Sequence, residues 1–125
     1  MKRLLFVILV LLIGCAQNNP GPIVAATYPA NGDSVHASLD TIMVTFNKPM
    51  TDKSWSWVYE SPESFPEMTG EPYYDETMMI NYLPVKLEPQ KTYVIWINKD
   101  NFMNFKDASG NPARPHKFTF STKAQ

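Results

Sequence analysis

Apolar and polar residues alternate along most of this chain, with a period of two. Thr41–Phe46 (TIMVTF) sets Ile42, Val44 and Phe46 on one side of an extended segment. Thr92–Ile97 (TYVIWI) is rich in β-branched and aromatic residues and sets Tyr93, Ile95 and Ile97 opposite Val94 and Trp96. His116–Thr122 (HKFTFST) brings Phe118 and Phe120 to one face. The same reasoning predicts strands at Ile23–Tyr28, Trp55–Tyr59, Thr77–Leu83 and Val85–Leu87. Turn chemistry separates them. Asn-Gly in "PANGD" (Pro29–Asp33) tolerates positive φ, and Pro49 in "NKPM" has no N–H for a ladder. Glu60–Glu76 and Asn98–Pro115 read as longer loops. No window shows a clear 3.6-residue apolar period. About seven short, turn-separated strands predict an all-β fold, an antiparallel β-sandwich.

The N-terminus follows another rule. Lys2 and Arg3 precede an unbroken apolar run, Leu4–Ile13, which is short for a bilayer span and right for the helical core of a signal peptide. It ends in "LIGC", with Gly14 before Cys15. This stretch resembles the bacterial lipoprotein signal. The resemblance implies a signal peptide over residues 1–14, cleavage before Cys15, a thioether-linked diacylglycerol on Cys15 and an acylated amino group. Two or more acyl chains hold a protein on a membrane durably, where one does so marginally. The competing reading is a plain secretory signal with a small buried cysteine; Cys15 is the single cysteine and has no disulfide partner. Residues 15–22, with Ala16–Pro22 (AQNNPGP), read as the lipidated cysteine and a tether, residues 23–122 as the sandwich domain and residues 123–125 as a tail. In Gram-negative lipoproteins an Asp after the cysteine tends to mark inner-membrane retention. Ala16 therefore leans the expectation to the outer membrane, in an extracytoplasmic, lipid-anchored position in the cell envelope.

"LEPQKTY" (Leu87–Tyr93) has the form Leu-x-Pro-x-x-x-Tyr at the head of a β-run. Leu87, Pro89 and Tyr93 match a tyrosine corner, whose hydroxyl bonds to backbone just upstream. "YPANGDSV", "IMVTFNKPM", "LEPQKTYVIWI" and "FKDASGNPARPHKFTFST" then occur in the order found in a bacterial Ig-like domain, the type also found in S-layer proteins. The resemblance covers about Ile23–Thr122 and implies an Ig-like sandwich serving as an extracytoplasmic binding or spacer module. It implies no chemistry, because fold does not set function. Glu60–Glu76, long and aromatic, departs from a minimal member.

Charge narrows the partners. From Cys15 onward the chain carries 9 basic and 12 acidic residues, a net charge of −3, with no basic run. Nucleic acid is not an expected partner. His36 and His116 lack metal-ligand spacing, and no catalytic motif stands out. Glu60, Glu63, Glu67, Glu71, Asp75 and Glu76 lie along one proline-broken loop, a poor frame for paired catalytic carboxylates. No enzyme activity, cofactor or metal is expected. "DASGN" leaves Asp107 and Asn111 as a weak calcium alternative, without EF-hand spacing, against a plain tight turn.

The aromatic residues remain. "SWSWV" (Ser54–Val58) puts Trp55, Trp57 and Tyr59 on one face, read as core wall ahead of ligand platform. Trp96 faces outward and needs a cover. Phe65, Tyr73 and Tyr74 of the Glu60–Glu76 loop, or a ligand, would supply it, which makes these four the candidate binding residues. The expected function is a lipid-anchored envelope module that binds protein or glycan without catalysis. The alternatives are a structural spacer or assembly component, and more remotely a small hydrolase.

Overall fold

A computed structural model describes residues 20–125. The predicted signal helix and Cys15 lie outside the described residues. Nine strands form: β1 Val24–Tyr28, β2 Ser34–Val35, β3 Thr41–Phe46, β4 Trp57–Tyr59, β5 Glu67–Met68, β6 Tyr73–Tyr74, β7 Ile80–Lys86, β8 Thr92–Ile97 and β9 His116–Thr122. One sheet runs β1-β3-β7, with β5 and β6 on the far side of β7; the other runs β2-β9-β8-β4. All pairs are antiparallel except β2 with β9. The two halves of the first edge, β1 and β2, serve different sheets, and β5 and β6 share one edge. Seven strand positions result, in the arrangement of an Ig-type sandwich.

Period two decides the core. Ile42, Val44 and Phe46 of β3, Tyr93, Ile95 and Ile97 of β8, and Phe118 and Phe120 of β9 are all buried. They meet Leu83 and Val85 of β7 between the sheets. Such a core is needed because no disulfide is available.

Three sequence expectations change. First, Pro84 does not divide Thr77–Leu83 from Val85–Leu87; one strand, β7, runs through it. Pro84 O accepts from Thr69 N–H at 3.1 Å, and a strand residue directs its N–H and C=O to the same side. The donor that proline lacks therefore faces the β5–β6 edge, not β3. That edge breaks opposite it, where Gly70 passes over the Pro84 ring. Second, Trp55 precedes β4, which spans only Trp57–Tyr59. Third, Pro20–Pro22, assigned to the tether, lie against the domain. Lys48 Nζ reaches Pro20 O at 3.3 Å, and Arg114 N–H donates to Pro22 O at 3.2 Å. A β-carbon at Gly21 would collide with the Pro112 carbonyl oxygen.

Candidate functional site: the aromatic cleft along strand β4

β4 is the last strand of its sheet, so one of its edges has no neighbour. Its register shows what that edge offers. β4 pairs with β8 through Trp57–Ile97, Val58–Trp96 and Tyr59–Ile95. Asn98 N–H donates to Ser56 O at 3.0 Å, so Ser56–Asn98 is a hydrogen-bonding pair. Bonding and non-bonding pairs alternate in an antiparallel ladder. Val58 therefore points its backbone groups at β8, and Trp57 and Tyr59 point theirs outward. Among the described residues these four outward N–H and C=O groups meet no backbone partner.

Apolar side chains frame this edge. Two adjoining clefts of about 250 and 290 Å³ share Trp57, Val58 and Phe102. The first is completed by Trp55, Met68 and Pro72, the second by Tyr59, Glu60 and Lys99. Phe102 is 59% exposed and Tyr59 51% exposed, high values for large apolar groups. A cleft of about 320 Å³ lies elsewhere, lined by Ala37–Asp40, Val85–Leu87 and Gln125, but its backbone is already paired through Val85 N–H and Asp40 O.

The cleft floor is held from behind. Trp57 reaches across to the other sheet, where its indole N–H donates to Asn81 Oδ1 at 2.8 Å, and its ring meets Phe105 edge-on at 5.7 Å. The donor-only indole sets the Asn81 amide orientation and leaves Asn81 Nδ2 buried without a partner among the described residues. Phe105 is placed by the fully buried Asn98, which sits at φ 62° after β8. Asn98 Nδ2 donates to Phe105 O and Ala113 O, and its Oδ1 accepts from Phe105 N–H. The "SWSWV" segment thus joins both roles weighed for it. Trp57 closes the core on one side and forms cleft wall on the other, and both Trp55 and Trp57 are half-buried.

The four predicted ligand residues do not come together. Trp96 does face outward on β8, but what meets it is Glu60, the first residue of the loop, together with two lysines, and not the aromatic cluster expected. Its indole N–H donates to Glu60 Oε1 at 2.7 Å, and Lys99 and Lys117 stand 5.8 and 5.7 Å from the ring centre. That hydrogen bond, opposed by desolvation and helped by Lys117 and Lys99, holds the Glu60 carboxyl below its usual range. The Glu60–Glu76 loop crosses instead to the other sheet, where β5 and β6 pair with β7. There Tyr73 stacks on Tyr82 at 5.1 Å on the outer face, while Tyr74 turns inward to Trp55 at 6.3 Å. Burial and the Asp52 charge push the Tyr74 phenol up. Phe65 packs against the core. Phe102 and Met68 escaped sequence reading because both lie in segments read as long loops, where no periodicity marks a face; Tyr59, grouped there with Trp55 and Trp57 as core wall ahead of platform, is half exposed at the cleft. The one available signal was the exposed position of Phe102 in a long loop.

Elsewhere the polar residues hold backbone. Tyr93 is buried, and its hydroxyl accepts from Glu88 N–H at 2.9 Å, with Leu87 buried and Pro89 exposed in the turn. Thr122 ties the same turn by accepting from Lys91 N–H at 2.9 Å. The Asp107 carboxylate is met by donors alone: the N–H groups of Ser109 and Asn111, the Asn111 amide, and Lys48 Nζ at 3.2 Å. Burial pushes this carboxyl up, but the donors of Asn111, Lys48 and Ser109 outweigh it and hold it below 3.8. An ammonium already occupies the place a cation would take, and Asn111 presents its amide nitrogen. Asp107 and Asn111 therefore form a tied turn. Among the described residues no three His, Cys, Asp or Glu gather in metal-binding geometry. His36 is exposed beside Ser38, and burial pushes half-buried His116 down.

Residues 18–122 match the family model described as "Bacterial Ig-like domain". The chain belongs to the bacterial Ig-like domain family. Solved structures share this Ig-like fold. CopC from Methylosinus trichosporium OB3b aligns with a TM-score of 0.60 at 14% identity, over 83% of this chain and 95% of CopC. Domains 1–6 of the surface layer protein SbsC align with a TM-score of 0.54 at 17% identity, over 90% of this chain and 15% of that one. The S-layer protein rSbsC(31-844) aligns with a TM-score of 0.51 at 18% identity, over 82% and 14%. At these identities the likeness is one of fold. No curated protein matches the sequence.

Proposed function

We propose that this Ig-like chain is an extracytoplasmic module of the bacterial envelope, held by lipid on Cys15, that binds envelope protein or glycan without catalysis. The binding site is the cleft along β4, and the observation that carries the reading is the open edge of that strand between exposed Phe102 and Tyr59. The anchor reading is supported by the residues themselves: Lys2 and Arg3, the apolar run, and Gly14-Cys15. An envelope position is also in keeping with neighbours named as surface-layer proteins. Ala16 favours the outer membrane where the cell has one.

Two measurements test this. Metabolic labelling with an azido fatty acid should mark the chain, and Cys15→Ser should abolish the mark; an unlabelled wild type removes the anchor. A photo-cross-linking phenylalanine analogue at position 102 should trap envelope protein or glycan in cells. The same analogue at Asn31, in the turn after β1, should trap none. Absence of adducts from position 102 would leave the domain as a spacer.

A further inference from the structure

We infer that the partner of the β4 cleft is a basic polypeptide segment in extended conformation, added to the sheet as a strand beside β4. The inference rests on the binding role just proposed and names its partner class. Backbone chemistry comes first. Trp57 and Tyr59 each direct an N–H and a C=O to the open side, two residues apart. Donor and acceptor pairs at that spacing are what an incoming strand satisfies, with N–H and C=O groups at alternate positions of its own. A sugar presents hydroxyls at no such repeat.

Side chains follow the same spacing. An added strand turns alternate residues to the same face. Residues on that face meet the clefts between Trp57, Phe102 and Met68 and between Tyr59, Phe102 and Lys99. The clefts take apolar side chains.

Charge chooses the rest of the sequence. Residues 52–76 hold seven acidic residues and one lysine, whereas the other described residues hold five acidic and eight basic. The loop that brings Met68 and Pro72 to the cleft exposes Glu63, Glu67 and Glu71. Among the described residues the ion pairs are Lys48–Asp107, Lys91–Glu88 and Lys99–Asp100, so these three carboxylates are unpaired. The segment that carries β4 and brings Met68 and Pro72 to the cleft is thus acidic while the other described residues are net basic, and the cleft lining itself adds Glu60 and Asp100 against Lys99. It steers and retains a cationic strand and repels an acidic one.

The test uses the full chain in detergent micelles and fluorescent peptides that alternate lysine with valine or phenylalanine. Glutamate replaces lysine in the control series. The basic peptide should bind saturably, at least tenfold tighter than the acidic one, and weaken as salt rises. Tyr59→Pro deletes one outward donor and leaves the Val58 bonds to β8, while Tyr59→Ala keeps that donor. The proline variant should bind at least tenfold more weakly than the alanine variant. Should Tyr59→Pro fail to fold, N-methylation of alternate peptide residues, tested on the unaltered chain, interrupts the same ladder from the other side and should cause the same loss. The triple change of Glu63, Glu67 and Glu71 to Gln should weaken binding at least threefold and flatten its salt dependence. Equal affinity for acidic and basic peptides, or binding indifferent to N-methylation, overturns the inference. Cross-links from position 102 to glycan with no peptide binding would also overturn it, while leaving a binding module in place.

Discussion

Tyr93 shows how one side chain sets a chain reversal. Its ring fills the core beside Phe120 at 5.3 Å, and its hydroxyl satisfies Glu88 N–H five residues back. Tyr93→Phe leaves the ring and orphans that N–H, so it should cost about 1–3 kcal/mol in urea unfolding. An unchanged midpoint would show that the hydroxyl contributes nothing. Asp107 makes a pH prediction. Its folded pKa lies below 3.8, so its contribution is complete above the unfolded value and is lost as pH falls through the folded one. Stability should therefore begin to drop as the pH falls below about 4, the ordinary aspartate value, and keep dropping through the lowered folded one. Asp107→Asn should remove much of this drop and cost about 1–3 kcal/mol at pH 7, because it loses the Lys48 and Asn111 side-chain bonds. A variant whose stability follows the wild-type pH curve would assign the dependence to other carboxylates, Asp75 among them. The hydrogen bonds that Asp75 accepts from Thr77 and Ile80 likewise overcome the upward push of burial and hold it low.

At the scale of elements, the long segment after β8 behaves as a built part of the sandwich. Asn98 ends the strand with positive φ and bonds three backbone groups of Phe105 and Ala113. Asn98→Ala leaves those groups buried and unpaired and should cost about 3–5 kcal/mol. Asn98→Gly relieves the backbone strain but not the lost bonds, so most of the cost should remain. Recovery of wild-type stability in the glycine variant would mean that conformation, not hydrogen bonding, is the role of Asn98. Because Phe105 backs Trp57, either variant should also loosen the cleft. The Trp57 emission should shift to the red.

For the whole molecule, placement of the two ends matters. Pro20 is fixed to the domain by Lys48, and Gly21 lies against Pro112, at the end where β1 begins. Five residue steps separate Pro20 from Cys15, a reach of at most about 18 Å. On the lipid-anchor proposal, the end bearing the Asp107 turn stays close to the membrane surface. A fluorophore at Ala108→Cys in the lipidated chain should be quenched by headgroup nitroxides, and one at Ala30→Cys, beyond the far end of β1, should be quenched much less. Equal quenching would mean that the domain tumbles freely on its anchor.

Much of this fold was legible in the sequence. Period two is a local property, and in β3, β8 and β9 it coincides with burial residue by residue. The tyrosine corner is local as well, closing within Leu87–Tyr93. Other features depended on which strands become neighbours. Pro84 reads as a break until the side its missing donor faces is known. Trp96 reads as needing an aromatic cover until Lys99, Lys117 and Glu60 are found around it. Tyr73 and Tyr74 left Trp96 because their loop pairs with β7, a contact between residues far apart in sequence. By itself the sequence determined strands β3, β8 and β9, their inward faces and the family, because these follow from alternation and short-range turn chemistry. Only the tertiary structure decided that β4 is an open edge and that Phe102, Tyr59 and Met68 meet beside it. An edge is defined by the absence of a neighbour, and no stretch of residues records that alone.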